Sequence, residues 1–398
     1  MSASDVAALW MQLRSTPDLV AAAVEAEGSP LAIQTTLRRR FPTELVPLAM
    51  QLREVRRLAA AKFENANCIW SDRVGLEQAT HGVVARYKAT RFPDNVAVTD
   101  LCCGMGADTA ALLATRPVHA VDLRPEALLF TQWNAETFGV PGKLTTTEED
   151  VTAREWPGLV HLDPDRRPDG RRVRRLEEYQ PGLKYLQTVA SGEGGAIKLS
   201  PAANFGGKFF GCETELISLD GECREATIWF GSLADGEPSR ATVLRTNGMF
   251  ATIAGDPLDS IAEVAPLGEL LFDPDPAVVR AGLVDQLCVQ CGLERLDDAE
   301  EYLTASDLSM QNEEALAPFA TGFRVLDACL AKPKPIRKML DGHRIGPLEV
   351  KTRHVSIDAN AMQRKFQRDR GDDREPGVLF YLRLNGKTAA VLARRRFD

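Results

Sequence analysis

This sequence has too little cysteine and histidine for a disulfide-rich or zinc-binding protein, and no apolar run long enough for a membrane-spanning one. Its 398 residues include eight cysteines and five histidines, and neither type shows the paired spacing of a disulfide framework or a zinc site. The close pair Cys288 and Cys291 lies in an amphipathic helical pattern and is predicted to be two buried thiols. No stretch approaches the roughly 18 apolar residues that cross a bilayer, and the first residues lack the pattern of a signal peptide. We therefore expect a cytoplasmic protein with reduced cysteines, no bound metal and no membrane contact.

Positive charge is in deficit across the chain as a whole. Its 48 Lys and Arg residues oppose 56 Asp and Glu residues, which gives a formal charge of −8 and argues against indiscriminate coating of nucleic acid. A local exception is a segment with six arginines in ten positions: Arg166, Arg167, Arg171, Arg172, Arg174 and Arg175. This segment is either a contact for a polyanion or, with Glu177 and Glu178, the solvated start of a salt-bridged helix.

The chain is too long for one ordinary core, and the spacing of its apolar residues changes along its length. Residues 1–68 have apolar positions three and four apart, which predicts a small helical domain. Residues 69–255 alternate short apolar runs with helical patterns, one of them around 176–189, and predict a parallel sheet followed after Pro201 by antiparallel strands. Residues 256–398 end in a β-α-β-α-β-β series with a hairpin turn at Asn385-Gly386, which predicts a compact α+β module.

A glycine loop follows the first apolar strand of the middle segment. Asp100 and Cys102 precede Gly104 and Gly106 in "DLCCGMGADT", and glycine at such a turn lets the backbone approach a bulky ligand. A dinucleotide fingerprint requires a third glycine where Thr109 stands. The loop alone therefore leaves a dinucleotide and other nucleoside-containing ligands open.

Acidic residues at successive strand ends narrow the choice of ligand. Asp100 precedes the loop, where its carboxylate can receive an ammonium group or a backbone N–H. Asp122 and its neighbour Leu123 end the next strand, where a carboxylate can accept both hydroxyls of a ribose. Asp150, beside Val151, follows the third strand and can accept from an adenine amine. Such an acidic pocket suits a sulfonium and a zwitterionic amino acid tail better than a pyrophosphate.

The middle segment, over roughly residues 70–255, resembles the class I S-adenosylmethionine-dependent methyltransferases in the ordered set Asp100, Gly104, Gly106, Asp122, Asp150 and Asp163-Pro164. Its loop is most similar to the RNA-modifying branch that includes trimethylguanosine synthases. With "LEQAT" (76–80) and "HLDPDRR", the whole chain resembles bacterial methyltransferases with a C-terminal THUMP-like domain, a module associated elsewhere with RNA binding. The resemblance implies a Rossmann-like α/β methyltransferase sheet with an N-terminal helical domain, a C-terminal α+β module of THUMP-like or ferredoxin-like fold, and S-adenosyl-L-methionine as cofactor.

In this family's architecture the fourth strand ends beside the departing methyl group, where "GLVHLDPDRR" places Asp163. Asp163, which also borders the cofactor, and the carbonyl of Pro164 can hold an exocyclic amine by its hydrogens. Related amino methyltransferases carry a second proline and an aromatic residue where this sequence has Asp165 and Arg166. The guanidinium plane of Arg166 can stack on a base or pair with phosphate. Asp165 is either a catalytic base or a surface acid paired with an arginine.

Further candidates lie away from this turn. Gln78 in "LEQAT" belongs either to a lid over the cofactor or to a helix cap, and Lys198 either faces the substrate or is an ordinary strand-end lysine. A second basic strip lies in the terminal module and comprises Lys351, Arg353, Arg364, Lys365, Arg368 and Arg370. The residues predicted to bind the substrate are Arg166, Arg167, Arg171, Arg172, Lys351 and Arg353.

These observations favour an enzyme that transfers a methyl group from S-adenosylmethionine to a base in RNA. A methyltransferase for a small molecule or a protein side chain would use the same cofactor site. The departure at Asp165 and Arg166 also leaves open a catalytically silent protein that keeps the cofactor fold as an RNA-binding scaffold.

Overall fold

The computed structural model describes residues 3–140, 143–167, 170–297, 301–367, 374–384 and 386–396. The chain forms two compact units. The first comprises Met1–Glu213 and Glu225–Gly236, and the second comprises Thr214–Arg224 and Glu237–Asp398. The predicted boundaries at residues 68 and 255 do not coincide with this division and stay a prediction.

Helices of the first unit precede and surround a sheet. They are α1 (Ala3–Arg14), α2 (Pro17–Glu25), α3 (Pro30–Arg38), α4 (Val46–Ala59), α5 (Arg73–Gln78), α6 (Gly82–Thr90), α7 (Ala107–Leu113), α8 (Pro125–Thr137) and α9 (Leu183–Ala190). Proline occupies the first turn of α2, α3, α4 and α8, where its missing N–H costs no helical hydrogen bond.

The sheet of the first unit contains the parallel strands β1 (Val98–Leu101), β2 (Val118–Asp122), β3 (Leu144–Glu148), β4 (Leu159–Leu162) and β5 (Gly194–Leu199). Their spatial order is β3-β2-β1-β4-β5. After β6 (Glu213–Leu219), strand β7 (Glu222–Gly231) pairs with β5 in the antiparallel sense. The predicted parallel sheet is thus confirmed. Its strands end at one edge, where open α/β sheets bind ligands.

The N-terminal helices share a buried cluster with α8 and the glycine loop. Trp10 of α1 packs edge-on against Phe130 of α8 with the ring centroids 4.9 Å apart. Both rings belong to one buried cluster that also contains Leu52 of α4 and Met105 of the glycine loop. Helices α1–α4 therefore stabilise the helix and loop that border the carboxyl edge of the sheet.

The second unit combines two groups of strands. Strand β6 pairs in parallel with β8 (Ser239–Leu244), which pairs in the antiparallel sense with β9 (Phe250–Gly255). The remaining strands are β10 (Leu270–Pro274), β11 (Glu294–Arg295), β12 (Leu303–Ala305), β13 (Ala320–Leu330), β14 (Ile345–Thr352), β15 (Glu375–Leu384) and β16 (Lys387–Arg395), in the spatial order β11-β12-β10-β13-β16-β15-β14. The helices are α10 (Pro276–Ala281), α11 (Val284–Cys291), α12 (Met310–Leu316), α13 (Pro333–Gly342) and α14 (Ala359–Phe366).

The terminal β13-α13-β14-α14-β15-β16 series has the predicted element order. Helices α13 and α14 contribute Ile336 and Phe366 to one buried cluster with Leu379 and Leu392 of the sheet. The alternate residues of β15, among them Phe380, pack in a second cluster. This alternation is what a sheet covered on both faces requires. Residue Asn385 of the predicted hairpin turn lies outside the described residues.

Two elements differ from the sequence prediction. Strands β6 and β8 run parallel rather than antiparallel, because β8 pairs with β6 and not with β7, the strand that precedes it in the chain. The helix predicted around 176–189 is a single 3-10 turn at Leu176–Glu178 followed by α9. Pro181 separates the two, since the residue before a proline disfavours helical geometry. Within the described part of the chain, no helix combines the length and apolar character needed to cross a membrane.

Candidate functional site

A cavity of about 510 Å³ lies at the carboxyl edge of the parallel sheet in the first unit. Its lining includes most residues of the predicted site, namely Cys102, Gly104, Asp122, Leu123, Asp150, Val151, Asp163, Pro164, Asp165 and Arg166. Residues from the ends of several strands therefore converge as predicted, although they lie far apart in sequence. Asp100, Gly106, Arg167, Arg171, Arg172, Lys351 and Arg353 do not line this cavity.

The glycine loop turns through three residues with left-handed backbone, Cys102, Gly104 and Gly106. A Cβ atom at Gly104 would have no neighbour within 4 Å, and Gly104 borders the cavity. A Cβ atom at Gly106 would instead lie 2.9 Å from the backbone and side chain of Thr131 in α8. Gly104 thus leaves room for a ligand, whereas Gly106 allows the loop to pack against a helix.

The carboxylate of Asp100 is buried beneath the loop and does not reach the cavity. It accepts hydrogen bonds from Thr109 Oγ1 and from His161 Nδ1, the latter at 2.7 Å. Thr109, at the position of the missing third glycine, makes this bond with its hydroxyl. Both carboxylate oxygens of Asp100 thus have partners within the fold, and its contact with the cofactor stays a prediction.

Asp122 connects the loop to the end of β2. Its Oδ2 accepts from the backbone N–H of Gly104 and its Oδ1 from that of Arg124, both at 2.9 Å. Burial raises the pKa of this carboxyl group above its ordinary value, although Arg124 and the two N–H donors oppose the rise. A carboxylate has about four acceptor positions, so each oxygen can still accept from a ligand hydroxyl.

Asp150 and its neighbours Val151 and Thr152 also line the cavity. Asp150 Oδ1 accepts from the backbone N–H and the hydroxyl of Thr152, at 2.9 and 2.8 Å, and these bonds lower the pKa of the carboxyl group. Val151 is buried and Leu123 is largely exposed, and both line the cavity. The wall therefore combines apolar surface with an ionised carboxylate.

Cys102 borders the cavity but is not suited to nucleophilic chemistry. Burial, together with the nearby Asp122 and Asp163, raises the pKa of its thiol well above the ordinary value. A thiol is nucleophilic as the thiolate, so Cys102 stays unreactive near neutral pH. Within the described ranges, no group of three His, Cys, Asp or Glu side chains is placed to hold a metal ion.

Asp163 forms an ion pair with Lys198, which the sequence allowed either to face the substrate or to be an ordinary strand-end lysine. Lys198 Nζ donates to Asp163 Oδ2 at 2.7 Å and to the backbone carbonyl of Gln78 at 3.0 Å. The Lys198 side chain is 11% exposed and that of Asp163 is 29% exposed. The ion pair is therefore partly shielded from water, and it fixes one oxygen of the strand-end carboxylate.

Helix α5, which includes the first three residues of "LEQAT" (76–80), is hydrogen-bonded to the turn after β4. Gln78 Nε2 donates to Asp165 Oδ1 at 2.7 Å, and the backbone N–H of Arg167 donates to the same oxygen at 2.8 Å. Arg167 also pairs with Glu77 at 2.6 Å. Asp165 and Arg167 are thus engaged in holding α5, while Arg166 remains on the cavity wall.

Beyond this turn the arginine segment is exposed. Arg171, Arg172 and Arg174 are exposed and have no carboxylate within ion-pair distance among the described residues. The nearby charge of Arg166, assisted by burial, lowers the pKa of Arg172. Arg175 lies 4.0 and 3.9 Å from the carboxylates of Glu177 and Glu178. Positive charge therefore accumulates over most of the segment.

Two residues of the predicted basic strip of the second unit, Lys351 and Arg353, form ion pairs with acidic residues. Lys351 and Arg353 pair with Asp273 at 2.8 and 2.7 Å, and Arg353 also pairs with Glu301 at 3.1 Å. These ion pairs connect the end of strand β14 to β10, and a substrate contact by Lys351 and Arg353 stays a prediction. Arg364 and Lys365 are exposed, whereas Arg368 and Arg370 lie outside the described residues.

Sequence reasoning missed a buried ionic network behind the cavity. Lys88 of α6 pairs with Asp108 at 2.8 Å and with Glu225 at 2.6 Å. Its Nζ also lies 3.4 Å from His161 Nε2. Burial disfavours the charge of Lys88, but the two carboxylates outweigh it and raise the pKa of the ammonium. Asp108 and Thr80, joined by a 2.6 Å hydrogen bond, carry the network to the cavity wall.

The C-terminal part of the chain matches a known family model, and most of the chain is similar to two curated relatives. Residues 320–395 match the model described as THUMP domain-like. Two proteins of Mycobacterium tuberculosis, from strains CDC 1551 and H37Rv, are each 33% identical over 346 residues, which covers 83% of this chain and 91% of theirs. Both are named uncharacterized S-adenosylmethionine-dependent methyltransferases. A crystal structure from Porphyromonas gingivalis W83 that bears a methyltransferase name is 15% identical, covers 100% of both chains and has a TM-score of 0.72.

Proposed function

Because this chain belongs to the S-adenosylmethionine-dependent methyltransferases, we propose that it methylates a base in RNA. The chain is an enzyme that uses S-adenosylmethionine as its methyl donor. The observation that supports an RNA substrate is the continuity of residues 163–175: the strand-end carboxylate at the cavity and the exposed arginine segment lie on one stretch of chain. A substrate reaching Asp163 would pass a surface suited to phosphate groups.

The cavity residues fit the parts of the cofactor. S-adenosylmethionine supplies an electrophilic methyl group on a positively charged sulfonium. Asp122 would accept hydrogen bonds from the ribose hydroxyls. Asp150 binds Thr152 through Oδ1, and its Oδ2 would accept from the adenine amine. Gly104 would allow close approach of the ligand, with Leu123 and Val151 beside the adenine. Asp100 would act indirectly, by fixing the loop through Thr109.

On the acceptor side, Asp163 and Pro164 would orient an exocyclic amine. Asp163 Oδ2 accepts from Lys198, and Oδ1 has no donor among the described residues. Oδ1 and the carbonyl of Pro164 would accept the two amine hydrogens, so that the nitrogen lone pair is directed away from them. Once the nitrogen has been methylated it carries a positive charge, and Asp163 would stabilise this charge until a proton leaves to water.

Arg166 would take the place of the aromatic residue that related enzymes use to stack on a base. It lines the cavity next to Pro164, and a guanidinium plane can stack on a base or pair with a phosphate. The remaining exposed arginines would contact the backbone. The THUMP-like match of the second unit adds support, because such modules are associated elsewhere with RNA binding.

Methyl transfer to RNA is the direct test. Purified protein is incubated with tritiated S-adenosylmethionine and fractionated RNA, and the product is identified by nucleoside mass spectrometry. We expect a methylated base, and we expect Asp163→Ala and the isosteric Asp163→Asn to remove transfer while calorimetry still detects cofactor binding.

The same assay separates the alternative functions. Incorporation into small molecules or protein, with none into RNA, would contradict the proposed substrate but not the family. Tight cofactor binding with no transfer to any fraction, together with direct RNA binding, would favour a silent scaffold. Transfer to RNA that survives Asp163→Ala would contradict the role of Asp163.

A further inference from the structure

Phe210 is an aromatic side chain held in the open. Its ring is 90% exposed, although Phe residues are ordinarily buried. The neighbouring backbone is anchored: Gln187 of α9 donates to the carbonyl of Lys208 at 2.9 Å, and the Lys208 ammonium pairs with Glu177. The exposure of Phe210 is therefore a property of a fixed segment, 204–211, which we call the Phe210 segment.

Asn204 joins the Phe210 segment to the arginine segment and the residue that follows it through one backbone and one side-chain hydrogen bond. The backbone N–H of Asn204 donates to the carbonyl of Arg174 at 3.2 Å. In return, the backbone N–H of Leu176 donates to Asn204 Oδ1 at 2.9 Å. The exposed ring and the exposed guanidinium groups therefore belong to two segments of the first unit that are hydrogen-bonded to each other.

A groove of about 720 Å³ connects this surface with the cofactor cavity. Thr152 and Pro181 line both the groove and the cavity. Glu177 and Gln187 also line the groove, and these are the two residues that hold Lys208. A continuous depression therefore leads from the candidate site to the base of the Phe210 segment.

We propose that this surface binds a single-stranded stretch of RNA, with a nucleotide base stacked on Phe210. The inference rests on the proposed function and adds to it that the nucleotides flanking the acceptor are unpaired. Ring faces bind unpaired bases, which are not available inside a duplex, and adjacent arginines neutralise the backbone between stacked bases. An apolar protein partner would be poorly matched, because Arg171, Arg172 and Arg174 are exposed and have no ion-pair partner among the described residues.

Fluorescence anisotropy with full-length protein tests the inference. The probes are a labelled ten-nucleotide oligoadenylate and a labelled RNA hairpin with a ten-base-pair stem. We expect Phe210→Ala to weaken oligoadenylate binding about fivefold or more, as removal of one stacking ring does. We also expect Phe210→Trp to restore the affinity, and neither variant to change hairpin or cofactor affinity.

Leu31→Ala is the matched control, because Leu31 is another exposed apolar residue of the first unit, 73% exposed on α3. It is expected to leave both affinities unchanged. Unchanged oligoadenylate binding by Phe210→Ala, or an equal loss for the oligonucleotide and the hairpin, would overturn the stacking role and leave Phe210 to a protein partner. Wild-type protein that binds neither probe and methylates no RNA would instead contradict the proposed function itself.

Discussion

Among single residues, Gly104 and Gly106 share a left-handed backbone but differ in what surrounds them. We predict that Gly104→Asn weakens S-adenosylmethionine binding about tenfold or more with little loss of stability. Asparagine tolerates the left-handed conformation, and its side chain would enter the space that the cavity leaves open. Isothermal titration calorimetry measures the affinity and thermal unfolding measures the stability.

Gly106→Ala is the comparison for this prediction. Its Cβ would lie 2.9 Å from Thr131, so the loop must shift away from α8, and we expect a lowered melting temperature. If Gly104→Asn bound the cofactor as tightly as the wild type, Gly104 would not border the cofactor, and our placement of the ligand in this cavity would be wrong.

Lys198 is a positioning residue whose effect should be confined to catalysis. We predict that Lys198→Met lowers kcat for methyl transfer about tenfold to a hundredfold, in line with a hydrogen bond of about 1.5–3 kcal/mol to a charged group. The affinity for S-adenosylmethionine should change little. Steady-state kinetics with the RNA substrate and calorimetry with the cofactor give the two quantities.

Lys198→Arg separates this role from a purely structural one. Arginine keeps a positive donor near Asp163, so we expect it to restore part of kcat. Equal losses for the methionine and arginine variants, accompanied by equal losses of melting temperature, would indicate that Lys198 only supports the fold.

At the scale of secondary-structure elements, Lys88 connects α6 to α7 and β7 through Asp108 and Glu225. We predict that Lys88→Met lowers the free energy of unfolding by about 3–5 kcal/mol, because it leaves two buried carboxylates without their cation. Urea denaturation followed by circular dichroism measures the change. Lys184→Met, at an exposed position of α9, is the control and is expected to stay within about 0.5 kcal/mol of the wild type.

Strand β4 brings His161 into the same network and makes stability depend on pH. Burial opposes the charge of His161, but Asp100 and Asp108 outweigh it and raise its pKa in the folded protein. The folded state then binds the proton more tightly than the unfolded state. This stabilisation is fully present below about pH 6.5 and is lost as the pH rises through the folded pKa.

We therefore predict that the free energy of unfolding falls between pH 6 and pH 8, by at most about 1.4 kcal/mol per pH unit from this residue. His161→Gln should remove this contribution, so that the free energy of unfolding of the variant falls less steeply with pH than that of the wild type. A variant whose profile stays parallel to the wild type over this range would show that His161 does not take up a proton in the folded state.

An element could be predicted where a short stretch of sequence determines it, and not where a distant strand determines it. Strands β1, β2 and β4 were evident from short apolar runs, and the acids after them indicated a shared ligand because parallel strands end at one edge. The parallel pairing of β6 with β8 depends on whether β8 joins β6 or β7. Nothing within either strand records that choice.

For the whole molecule, composition gave the sign of the net charge but not which charges are free. Lys351 and Arg353 appeared as part of a basic strip in the sequence, yet both pair with Asp273, which lies 78 and 80 positions away. Asp100 appeared as a cofactor ligand, yet Thr109 and His161 occupy its carboxylate. Long-range partners decide such cases, so the sequence could identify the site's composition and not the role of every member.

The arginine segment should determine how RNA binding depends on salt. We predict that replacing Arg171, Arg172 and Arg174 together by glutamate weakens RNA binding and leaves S-adenosylmethionine affinity unchanged. Affinity falls with salt, and each lost phosphate contact to a single strand reduces the magnitude of the slope of log affinity against log salt by about 0.7. Three lost contacts should therefore reduce this magnitude by about 2. The slope is measured by anisotropy with the oligoadenylate between 50 and 200 mM salt.

The control replaces the exposed Arg38–Arg40 by glutamate, which gives the same change in net charge at the end of α3. An equal fall in slope for both triple variants would mean that net charge, rather than this segment, attracts the RNA.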